Sequence, residues 1–136
     1  MRLTKAQRAQ LRTMYDGHCA YCGIVLPDKW HADHFEFIQR DHKRVETSDG
    51  SGKWVAAPPL RPEFDVIENY RPSCALCNLS KGRMDLETWR GWLAGHLTSL
   101  NIYHPIYRLA KQYGLITETG ARVVFHFERV DGAKGA

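Results

Sequence analysis

Four cysteines stand in two close pairs, Cys19-Ala20-Tyr21-Cys22 and Cys74-Ala75-Leu76-Cys77. Such pairs can form two disulfides or close around one metal ion, and the chain offers no secretory context to favour oxidation. Metal is the preferred reading. Four thiolates in two knuckles suit a tetrahedral zinc site, and with every position filled by sulfur that zinc is structural. The long interval between the pairs makes it a staple between distant parts of the chain. His18, directly before Cys19, is a rival ligand only if a cysteine is missing from the site.

A second set of chemically capable residues is Asp33-His34, Asn69 and Asn78. Asn78 follows Cys77 at once, so metal held by the cysteines would also hold Asn78 in place. Asp33 and Asn78 offer hard oxygen donors, and an imidazole titrates near neutral pH, where a general base is most useful.

The elements that must position these residues follow from pattern. Thr4 and Gln7 form a capping box ahead of an apolar stripe of Leu11, Met14 and Tyr15, with Gly17 as a stop. Lys5, Arg8 and Arg12 share the opposite face, and a solvated surface is the preferred reading over a track for a phosphate backbone. A strand is predicted at 30–34, a long loop at 46–62 and a short returning strand at 64–70, leading into a brief helix that carries Asn78 and Lys81. Asp85 caps a longer helix with Leu86, Trp89, Leu93, Leu97 and Leu100 on one stripe. Ile106, Leu109, Ala110 and Tyr113 repeat the helical spacing, and Val123, Phe125 and Phe127 alternate like a strand.

Strand, loop, strand and helix, carrying His31-Ala32-Asp33-His34, Glu68-Asn69-Tyr70 and Cys74 through Gly82 in that order, resemble the HNH endonuclease family. The likeness covers about residues 15–90 and is specific in combination. Leu86-Glu87-Thr88-Trp89-Arg90 and the stretch from Tyr113 to Glu128 extend it toward small HNH proteins of tailed phages and prophages. The resemblance implies an α+β fold: a ββα-metal core with a four-cysteine zinc site, flanked by further helices and a C-terminal strand. Length and composition predict one domain over 1–136, and the resemblance gives it a core at about 15–90 and an extension at 91–136.

By the same resemblance His34 deprotonates an attacking water, and Asp33 and Asn78 bind one divalent cation, Mg²⁺ or Mn²⁺ by their donor chemistry. Asn69 hydrogen-bonds backbone in the loop after the first strand and helps to orient His34, while Lys81 and Arg83 meet DNA phosphates. Asn78 stands where the family often has a third histidine, giving an HNN variant. The proline and glycine pair frequent after Asp-His is absent, with Phe35-Glu36-Phe37 in its place. His31 and Glu36 lie close enough to be further ligands. Adjacent strand residues point to opposite faces, so a bulge or strand end is required for Asp33 and His34 to serve one phosphate.

The chain of 136 residues is basic, with a formal net charge of +4, which favours a polyanionic partner. DNA is the partner expected, with phage DNA-packaging terminase proteins implied by the resemblance. No apolar run of membrane-spanning length and no apolar signal segment is found. A soluble, intracellular protein is expected, cytoplasmic in a bacterial host on the phage likeness. The alternative function is a zinc-knuckle DNA-binding or adaptor protein without hydrolysis, which would have no need to keep a base and oxygen ligands together.

Overall fold

A computed structural model describes residues 2–38, 41–57 and 62–134. The chain opens with α1 (Lys5–Arg12), whose capping box is complete: Thr4 Oγ1 accepts from Gln7 N–H, and Gln7 Oε1 accepts from Thr4 N–H. Its buried residue is Leu11. Arg8 does not point away into solvent, since its guanidinium lies over the Trp30 ring and donates to Trp30 O at 2.6 Å. Arg12 donates to Leu26 O, so α1 is tied to the first knuckle and to the strand after it.

That strand, β1 (Trp30–His34), pairs antiparallel with β4 (Tyr70–Cys74), setting Asp33 opposite Arg71 and His34 opposite Tyr70. Between them the chain forms a separate hairpin of β2 (Asp41–Val45) and β3 (Lys53–Ala57). The loop expected over 46–62 is thus shorter than its composition suggests. Asp49-Gly50-Ser51-Gly52 makes a tight turn, with Asp49 accepting from Ser51 N–H, and Lys53-Trp54-Val55-Ala56-Ala57 resumes extended pairing. The remainder of that stretch, 58–61, lies outside the described residues.

The expected strand over 64–70 is also corrected. Pro62–Phe64 and Ile67–Asn69 are short 3-10 turns, and pairing begins only at Tyr70. Asn69 therefore sits just before the strand. Strand β4 runs directly into α2 (Ala75–Lys81).

Asp85 caps α3 (Leu86–Ala94) by accepting from Thr88 N–H, but the helical stripe does not continue unbroken to Leu100. Gly95 divides it from α4 (His96–Tyr103), and α5 (Pro105–Gln112) follows with proline in its first turn, where a missing N–H costs nothing.

The C-terminal strand is overturned. Residues 121–125 are irregular, and α6 (His126–Lys134) begins where the strand should end. Glu128 explains the start, because its carboxylate accepts from Phe125 N–H and fills the role of a helix-capping acceptor. The alternating aromatics serve packing instead. Phe125 stacks on Trp89 with ring centres 4.9 Å apart, and Tyr21 meets Trp89 edge-on at 5.1 Å. These rings join Leu11, Leu26, Trp30 and Tyr70 in one core. Among the described residues the architecture is mixed α+β with two small two-stranded sheets. No helix among the described residues is long and apolar enough to cross a membrane.

Candidate functional site

The two cysteine pairs converge. Ligand atoms of Cys19, Cys22, Cys74 and Cys77 all lie within 4.8 Å of one another, and Cys22 and Cys74 Sγ are 3.8 Å apart. A tetrahedral site with metal–sulfur bonds of about 2.3 Å has sulfur–sulfur edges of about 3.8 Å, so the cluster fits a zinc ion. Backbone geometry prepares it. Cys74 N–H donates to Cys19 Sγ and Cys77 N–H to Cys74 Sγ, the latter as the N-cap contact of α2.

Gly23 closes the first knuckle at φ +82°, and a Cβ there would come within 3.0 Å of the His126 ring. The C-terminal segment seals that side, with His126 N–H donating to Tyr21 O and Phe127 N–H to Ala20 O. Protons alone divide unequally among the four sulfurs. A hydrogen bond from Cys77 holds the Cys19 thiol down to about 4, while that same bond, and then burial, push Cys77 up. Burial first, with the neighbouring Cys19 charge adding to it, raises Cys22 to about 11. Four crowded sulfurs that cannot all ionise together are the donor set a divalent cation relieves.

Beside the cluster, a groove of about 660 Å³ is lined by Asp33, His34 and Asn78, and also by His31, Arg2, Arg8 and Arg83. Asp33 and His34 reach it together because His34 is the last residue of β1, where the alternation of the strand ceases to bind. The His34 ring lies 4.4 Å from that of Tyr70, and its Nε2 is 3.1 Å from Asp65 Oδ1. A carboxylate only accepts, so a neutral imidazole in this contact carries its proton on Nε2 and has Nδ1 as the accepting nitrogen.

Asn69 is buried below the site. Its Oδ1 accepts from Glu36 N–H, and its Nδ2 donates to Glu36 O and Phe64 O, closing the loop after β1. Asn78, half-buried on α2, makes no side-chain hydrogen bond with the described residues, and Arg83 is exposed at the groove. His31 lines the groove as well. Glu36 is exposed and does not line it.

Lys81 requires a correction. Expected to meet phosphates, it is 0% exposed, with Nζ 3.2 Å from Asp33 Oδ2 and donating to His34 O at 3.0 Å. One helical turn from Asn78, it projects toward β1 and fills the junction of helix and strand. Tyr21 completes the contact by donating to the same Asp33 Oδ2 at 2.6 Å.

Two partners escaped the sequence reading. Asp65 lies among ordinary surface acids in the sequence, and nothing there marks it as the residue that meets His34. Tyr21 had a signal in its place between Cys19 and Cys22, where a buried side chain is brought against whatever the four cysteines join.

No family model, curated protein or solved structure matches this chain.

The chemistry is therefore read from the groove itself. An imidazole, a carboxylate, an amide and arginines line one cleft, a set able to bind a phosphate group and to move a proton.

Proposed function

We propose that the chain is a metal-dependent DNA endonuclease of the HNH kind, in which β1, β4 and α2 form the ββα-metal unit. The observation that carries this reading is the convergence of Asp33, His34 and Asn78 on one groove that also bears Arg83. The basic net charge supports a nucleic-acid substrate.

His34 Nδ1 takes a proton from water, and the water oxygen forms a bond to phosphorus as the bond to the 3′ oxygen breaks. Asp65 accepts from Nε2–H and stabilises the imidazolium that results. Asn69 holds the loop beyond His34 by its two hydrogen bonds to Glu36 and acts as a positioning residue. Arg83 steers the phosphate backbone to the groove.

Asp33 and Asn78 fit a hard divalent cation. Asp33 Oδ1 makes no hydrogen bond with the described residues, and no buried polar side-chain atom there lacks a partner, so this oxygen opens to the groove. Mg²⁺ or Mn²⁺ bound there would supply positive charge to a non-bridging phosphate oxygen and to the leaving 3′ oxygen. The cysteine cluster would hold zinc and keep Asn78 at the head of α2 in register with β1.

Relaxation of supercoiled plasmid in Mg²⁺ or Mn²⁺ tests the reading. His34→Ala should lose about a hundredfold or more of the nicking rate while retaining its fold and its DNA binding. Equal nicking by the variant would remove His34 from the chemistry, and absence of nicking by the wild type would leave only a DNA-binding role.

A further inference from the structure

Asp33 and Lys81 form a buried ion pair beside the proposed cation site, and neither the cysteine cluster nor the hydrolytic step uses it. Taking an ammonium wholly out of water is strongly unfavourable unless its donors are satisfied. Here the ammonium is met by Asp33 Oδ2 and His34 O, and it lies 6.0 Å from the centre of the Tyr21 ring. Tyr21 in turn gives its hydroxyl proton to Asp33 Oδ2. A hydroxyl donor and an ammonium charge, from two different segments, thus converge on a single oxygen.

From this arrangement we infer that Tyr21 and Lys81 are specificity-determining positioning residues: by occupying Asp33 Oδ2, they restrict Asp33 to binding a cation through Oδ1 alone. The inference rests on the reading of Asp33 as a cation ligand. One oxygen per carboxylate suits Mg²⁺ or Mn²⁺, which take six ligands in a strict octahedron. Ca²⁺ is larger, takes six to eight ligands and gains from bidentate carboxylates, so it is the ion this arrangement disfavours. Tyr21 comes from the first cysteine knuckle and Lys81 from the helix that begins in the second. The cysteine staple therefore also fixes which oxygen of Asp33 faces the groove.

Zinc-loaded protein, titrated with Mn²⁺ while free ion is followed by electron paramagnetic resonance and then displaced with Ca²⁺, tests this directly. The wild type should bind Mn²⁺ at a site lost in Asp33→Ala, with Ca²⁺ a poor competitor. Tyr21→Phe removes one hydroxyl without changing the ring, should melt cooperatively, and should compete for Ca²⁺ about tenfold more favourably relative to Mn²⁺, as expected from freeing a charge-assisted acceptor. Lys81→Met should shift the ratio the same way if it folds, and Tyr21→Phe decides the matter if it does not. An unchanged Ca²⁺ to Mn²⁺ ratio in folded Tyr21→Phe, with Asp33-dependent Mn²⁺ binding intact, overturns the inference alone. No Asp33-dependent Mn²⁺ binding in the wild type overturns it together with the cation reading.

Discussion

The cysteine cluster and the groove lie side by side and are built on opposite principles. At the cluster, four soft sulfurs converge within 4.8 Å and belong to segments far apart in sequence. In the groove, hard oxygens and an imidazole face an open cleft, and Asp33 Oδ1 and the Asn78 amide make no hydrogen bond with the described residues. A closed set of ligands stores stability, whereas an incomplete one keeps room for water and substrate. The two are joined by α2, which starts at the cluster and carries Asn78 and Lys81 to the groove, and by Tyr21, which reaches Asp33 from the first knuckle. The lesson is that rigidity at the cysteine cluster can set geometry in the neighbouring groove without the two sharing a ligand.

The largest effect should come from breaking the closed side. Cys74→Ser removes a sulfur that is both a cluster member and the N-cap acceptor of α2. Structural zinc sites contribute about 10–16 kcal/mol of binding free energy, comparable to the whole stability of a small domain. Cooperative melting followed by circular dichroism should be lost, together with the zinc measured by elemental analysis. A folded, zinc-free variant would show that the cluster is not a staple.

An intermediate effect should come from changing the open side. Asn78→His replaces an amide oxygen by imidazole, which binds later first-row metals more strongly, so nicking should shift its preference toward Ni²⁺, Co²⁺ or Zn²⁺. Asn78→Ala should weaken cation binding without such a shift, and both variants should melt like the wild type. The same cation ranking and affinity in all three proteins would remove Asn78 from the site and make His31 the next candidate, because it lines the same groove.

The smallest effect sharpens the comparison from outside both regions. Arg90 donates to both carboxylate oxygens of Glu128, clamping α6 to α3 behind the core. The hydrogen bonds from Arg90 hold the Glu128 carboxyl below its ordinary range. A depressed folded-state value means the pair stabilises the protein above the usual glutamate range, and this contribution fades as pH falls through the lowered value. Glu128→Gln should therefore cost about 0.5–1 kcal/mol near neutral pH, discounted for partial exposure, and little in acid, as read from urea melts at several pH values. Neither zinc content nor nicking should change.

Legibility in the sequence followed the range of the interactions. The Thr4 and Gln7 box, the Asp85 cap and the strand at Trp30–His34 rest on contacts a few residues apart or on simple alternation, and each forms. The joining of the cysteine pairs spans 52 residues between Cys22 and Cys74, yet it was readable because paired spacing encodes a shared ligand. Alternation failed at Val123, Phe125 and Phe127, where Glu128 bonding back to Phe125 turns the chain into a helix. Composition failed at Lys53–Ala57, since neighbouring glycines disguised a strand whose partner lies across the turn. Lys81 and Asp65 were the hardest, because a charged side chain in sequence carries no sign of whether it meets solvent or a buried partner.

The proposed division of labour between the two regions is tested most directly by removing separately the metal each would hold. Protein dialysed against a chelator just strong enough to strip Mg²⁺ and Mn²⁺ should retain one zinc per chain, its fold and its DNA binding, but lose plasmid nicking. Adding Mg²⁺ back should restore nicking in the wild type and not in His34→Ala. Nicking that persists in the stripped protein, or that returns equally in His34→Ala, would contradict the account.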